Sequence, residues 1–150
     1  MLKIAAAAAL LVLSSPAEPQ DEASKGCFAG RREPLIAGGF SGSMDCSVGS
    51  STFRLAGRPG DGHYAVYDYR YSFMPEHGAV MHGGQRVIVF KDADYVGQYG
   101  LNPPPYASVS VRDARLLIRT EDEFDEPPLD FSDGPPPRIF VGGNVLHLFR

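Results

Sequence analysis

Two kinds of residue with chemical potential stand side by side in this 150-residue chain. "YDYRYSF", residues 67–73, carries an aromatic ring at every second position, and "MPEHGAVMH" after it brings His77 and His82. Side chains alternate across a strand, so Tyr67, Tyr69, Tyr71 and Phe73 share one face, a strip on the order of 20 Å long. Exposed, such a strip suits sugar rings or another protein: large flat area, few rotors, a hydroxyl at the tip. The ordinary alternative is the inner side of a central strand. The chain has no Trp, so Tyr and Phe must supply its large core side chains. Buried aromatics are commoner than large exposed patches, so the core reading is placed first. A glycan-binding module using Tyr67, Tyr69, Tyr71 and Phe73 is placed second.

The histidines do not assemble a metal site on spacing. His77 and His82 are five apart, which puts them on opposite faces of any regular strand. No H-E-x-x-H or paired C-x-x-C pattern is present, and His63 and His147 have no spacing that recruits them. Asp92 and Asp94 in "KDADY" share one side of a turn but do not match a calcium loop. "GFSGSMD" (39–45) places Ser43 where a nucleophile elbow requires its second glycine. "HGG" at 82–84 fits a turn better than an oxyanion loop, and no glycine-rich phosphate loop occurs. No catalytic set, metal site or cofactor is therefore assigned, and a hydrolase or metal-dependent enzyme is placed third.

The N-terminus fixes the expected compartment. "MLKIAAAAALLVLSSPA" has one Lys, an apolar run from Ile4 to Leu13, and small residues at Ser15 and Ala17. That order is a secretory signal peptide, with cleavage expected after Ala17 and a periplasmic or secreted destination. The run is about half the roughly 20 residues that span a bilayer, so no membrane span is expected in the mature form. Export alters the meaning of Cys27 and Cys46, the two cysteines. In an oxidising compartment they are expected to form a disulfide, contributing roughly 3 kcal/mol through the loop it closes. Loss of residues 1–17 removes Lys3, leaving 13 Lys and Arg against 18 Asp and Glu, a net of −5. A nucleic-acid partner is not expected, because phosphate recognition needs a concentrated basic face.

These residues must be positioned by β-structure. Segment 18–26 is polar and reads as a flexible lead; residues 27–150 read as a single domain. From Gly30 to Ser51 the Gly- and Ser-rich chain predicts irregular structure or short edge strands. "TFRLA", "HYAVYDYRYSF", "QRVIVFK", "YVGQYGL", "YASVSV", "RLLIRT", "RIFV" and "VLHLF" then follow between turn signals. Gly83-Gly84 is expected to be a two-residue hairpin connection, since both glycines accept positive φ. "GGN" at 142–144 is read the same way. An acidic, Pro-rich loop spans 120–137 and is expected to be solvated and mobile between strands. The whole predicts an all-β fold of about eight short strands, an antiparallel sandwich or a partly closed barrel. The function expected is a non-enzymatic binding or interaction protein of the envelope, its partner a protein or glycan.

Overall fold

The computed structural model describes residues 27–44, 51–74, 76–78, 80–101, 105–121 and 126–150. The expected signal peptide 1–17, the lead 18–26 and Cys46 lie outside the described residues, and the predicted Cys27–Cys46 disulfide with them. Four strands form an antiparallel meander in chain order: β1 (Thr52–Gly57), β2 (Tyr64–Phe73), β3 (His82–Lys91) and β4 (Asp94–Leu101). Two hairpins follow, β5 (Ser108–Arg112) with β6 (Arg115–Arg119), and β7 (Arg138–Val141) with β8 (Asn144–His147). The fold is thus mostly β and antiparallel, as the strand pattern predicts, and none of the three sheets among the described residues closes on itself.

Both faces of the meander are covered, which explains the unbroken apolar run in β3: Val87, Ile88, Val89 and Phe90 are all fully buried. Val66, Val87, Val89 and Tyr99 pack on one face against the hairpin residues Val109, Leu116, Ile118, Ile139 and Val141. On the other face Ala65, Tyr67, Tyr69, Ile88, Phe90 and Tyr95 pack against Phe28 and Leu35 from the N-terminal segment. Burying a residue such as Val or Leu contributes roughly 1.5–3 kcal/mol, so each layer is a substantial share of the domain's stability. The hairpin layer is also fastened by polar contacts. Gln85, buried in β3, bonds both backbone groups of Ala107 at 2.8 Å and donates to Asp68 at 2.7 Å. Asp68 is buried beside Arg70 (3.0 Å) and Arg54 (3.6 Å).

Three local expectations are corrected. Segment 30–51 is not wholly irregular or stranded: α1 (Arg32–Ala37) is a helix of six residues that buries Leu35. A run so short shows less than two turns of apolar period, so pattern reading cannot find it. Gly83 and Gly84 are not a turn. They lie inside β3, opposite Ser72 and Tyr71, and the chain reverses between Met74 and Met81. A Cβ on Gly84 would stand 2.5 Å from Cζ and Oη of Tyr71, so the missing side chain makes room for the ring across the strand. Finally, the acidic, Pro-rich loop is anchored in its second half. Leu129 bridges to Leu116 through two backbone hydrogen bonds, and Phe131 is buried.

Other turns follow sequence. Gly142 and Gly143, at φ 56° and 74°, form the β7–β8 connection expected from "GGN". Asp113 and Ala114 take the same role between β5 and β6 at φ 49° and 58°, a conformation that disfavours the alanine methyl.

Candidate binding face

The aromatic file on β2 is divided by the lengths of its neighbours. β1 pairs with β2 only as far as Thr52 opposite Arg70, and β4 pairs with β3 only as far as Leu101 opposite Gln85. Beyond those points Tyr71–Phe73 and His82–Gly84 pair only with each other, among the described residues. Among the described residues the β2–β3 hairpin therefore runs on past its neighbouring strands as a two-stranded arm.

The four rings fall on both sides of that boundary. Tyr67 and Tyr69 are buried. Tyr67 stacks on Phe53 with centroids 4.5 Å apart and an interplanar angle of 15°, and its phenol oxygen accepts from Arg31 Nε at 3.4 Å. Tyr69 meets Phe28 at 5.3 Å and Phe40 at 6.3 Å, and its hydroxyl donates to the Ser43 carbonyl at 2.6 Å. Tyr71 is half-buried, and Phe73 is 42% exposed. The rings remain in file: Tyr69–Tyr71 at 5.2 Å, Tyr71–Phe73 at 6.3 Å and Phe73–His82 at 5.6 Å, every interplanar angle between 24° and 26°. Met74, Val80 and Met81 at the tip are 50%, 68% and 48% exposed. Phe73, Met74, Val80 and Met81 together make a group of exposed apolar side chains at one end of the sheet.

The remaining histidines lie elsewhere. His77 is exposed in the β2–β3 turn and His147 is exposed in β8. His63 donates from Nδ1 to Asp92 Oδ1 at 3.0 Å in an open polar cleft shared with Asp61, Tyr64 and Lys91. The Asp92 hydrogen bond, then the charge of Asp61, raises the His63 pKa above 6.5. Ser132 lines the same cleft, but its hydroxyl donates to Asp130 at 2.6 Å, and His63 and Asp92 are more than half exposed. A solvated pair of this kind stabilises a turn; it does not activate a nucleophile, which needs the base aimed at a hydroxyl or thiol. Among the described residues no three His, Cys, Asp or Glu side chains are grouped to hold a metal ion.

Sequence reasoning placed Tyr67 to Phe73 on one face but could not divide them, because the division depends on where β1 and β4 stop. It missed the Asp68–Gln85–Ala107 fastening. The available signal was Asp68 and Arg70 in "YDYRY", polar residues on the second face of a strand buried on both sides. No helix among the described residues is long and apolar enough to cross a membrane. Comparison with protein-family models, with curated proteins and with solved structures finds no match.

Proposed function

We propose that this chain is an exported, non-enzymatic β-domain that binds a protein partner at the cell envelope through the outer end of its aromatic file. One observation carries the reading: the file is core at Tyr67 and Tyr69 but continues onto a projecting arm where Phe73, Met74, Val80 and Met81 meet solvent. Aromatic and methionine side chains are the residues that protein interfaces concentrate. The N-terminal sequence supports export, and export supports a Cys27–Cys46 disulfide and a periplasmic or secreted site of action. In this reading the meander and the two hairpins serve as the layers of a small sandwich that holds the arm.

A glycan-binding module is the second reading, now confined to Tyr71 and Phe73. Its support is the outer end of the file, where the Phe73 ring beyond Tyr71 is 42% exposed and offers aromatic surface to a sugar. A thermal-shift series with envelope glycans, run beside photo-cross-linking from position 73 in exporting cells, separates the two. A discrete protein adduct from position 73, absent when the photoreactive group is placed at Val145, supports the protein partner. A glycan-induced shift lost in Tyr71→Ala supports the module instead. A flat series with no adduct rejects both.

A further inference from the structure

The outward face of the β5–β6 hairpin bears a second surface, independent of the aromatic arm. Strict alternation in "SVSVRDARLLIR" sends Val109, Val111, Leu116 and Ile118 inward to the core and leaves Ser108, Ser110, Arg112, Arg115, Leu117 and Arg119 outside. Arg112 stands directly opposite Arg115 across the hairpin, a like-charge pair that weakens the ribbon. Arg112, Arg115, Leu117 and Arg119 line one cleft with Asp113 and Pro128. Among the described residues no carboxylate forms an ion pair with any of the three arginines. The nearest compensations are Asp113 in the cleft wall and Asp130, whose pKa is lowered chiefly by hydrogen bonds from Ser132 and to a smaller degree by Arg115. Three guanidinium groups in one cleft, none of them in an ion pair among the described residues, are out of keeping with a chain of net charge −4.

The spacing selects the ligand. Arg115, Leu117 and Arg119 repeat at every second residue, about 7 Å apart along β6. That is also the spacing of same-side side chains in an extended peptide. We infer that this cleft binds an extended acidic peptide of the pattern acid-x-apolar-x-acid, its carboxylates on Arg115 and Arg119 and its apolar side chain on Leu117 and Pro128. Arg112 adds a third fork at the hairpin end, and forked guanidinium groups match carboxylates in pairs of parallel hydrogen bonds. A single inorganic anion cannot reach both Arg115 and Arg119, roughly 13 Å apart along the strand. An acidic glycan has the charge, but the cleft offers it no aromatic ring, and the apolar Leu117 and Pro128 would face hydroxyl groups. The chain itself contains the pattern, since Asp122, Phe124 and Glu126 fall at alternate positions of "EDEFDE".

A fluorescently labelled peptide of that sequence is the probe, titrated by anisotropy into the full mature protein at low ionic strength. Binding should weaken steeply with salt. It should fall about tenfold or more in Arg115→Glu/Arg119→Glu, and several-fold when the peptide's Phe is replaced by Ser. The arginines are exposed, so an unchanged melting midpoint in the double variant keeps the loss attributable to binding. A second protein, Asp122→Asn/Glu123→Gln/Asp125→Asn/Glu126→Gln, removes competition from the chain's own acids. Salt-sensitive, arginine-dependent binding by either protein supports the proposal. No binding by both, or binding indifferent to the arginines, overturns it. Polygalacturonate, a linear anion without apolar groups, is the competitor; displacement of the peptide at equal charge concentration would overturn the peptide assignment.

Discussion

The two ends of the aromatic file differ in everything except sequence pattern. Tyr67 and Tyr69 are enclosed by Phe28, Phe40, Phe53 and Phe90, and both phenol groups have hydrogen-bond partners. Tyr71 and Phe73 continue the same alternation on the same strand, yet Tyr71 is only half-buried at the edge of that cluster and Phe73, between Tyr71 and His82, is 42% exposed. Period two decides which face a ring takes. The extent of neighbouring strands and of the N-terminal cover decides whether that face is interior. A strip of aromatics can therefore be core and surface at once, and a binding face can grow out of a core without any change in composition.

The largest expected effect breaks the inner end. Tyr69→Ala removes a buried ring and its bond to Ser43, and should cost about 3–5 kcal/mol in denaturant unfolding. Phe73→Ala, four residues on, should cost less than about 1 kcal/mol, because the residue is already 42% exposed in the folded state. Equal losses at the two positions would erase the distinction. Next comes the fastening that holds the hairpin layer to the meander. Gln85→Ala leaves both Ala107 backbone groups and one Asp68 oxygen without this partner, and should cost about 2–4 kcal/mol. A near-neutral result would mean that the apolar contacts alone hold that layer.

A smaller effect sharpens the boundary itself. Gly84→Ala sets a methyl against the Tyr71 ring tip, which can swing outward, so about 1 kcal/mol is expected. Amide and ring NMR shifts should change at Tyr71 and Phe73 and stay fixed at Tyr67. The smallest effect lies at the opposite end of the sheet. Asp92, then Asp61, favours the protonated form of His63, so its contribution to stability is complete below pH 6.5 and fades as pH rises through its raised folded value. In Asp92→Asn the NMR titration midpoint of His63 should move down; an unmoved midpoint would show that the hydrogen bond is not the cause.

Much of the fold is legible in the sequence, and the failures are instructive. Alternation in 63–73, 108–119 and 138–147 locates strands because each has at least one face against a core. Gly142-Gly143 is read correctly as a turn, whereas the identical dipeptide at Gly83-Gly84 is not. The pair at 142–143 connects two strands, while Gly84 serves a ring on the facing strand, and local sequence does not contain the facing strand. α1 escapes because Leu35 is its one buried residue. The gradient along the aromatic file is likewise tertiary: among the described residues, Arg70 and Gln85 are the last positions at which the outer strands pair.

The most direct measurement is a paired readout on Phe73→Ala: melting midpoint, and photo-cross-linking from the adjacent exposed position Met74 in exporting cells. The account predicts an unchanged midpoint and loss of the adduct that the unsubstituted chain forms. A lowered midpoint with the adduct retained would make Phe73 a structural residue and contradict the assignment of the arm as the binding face.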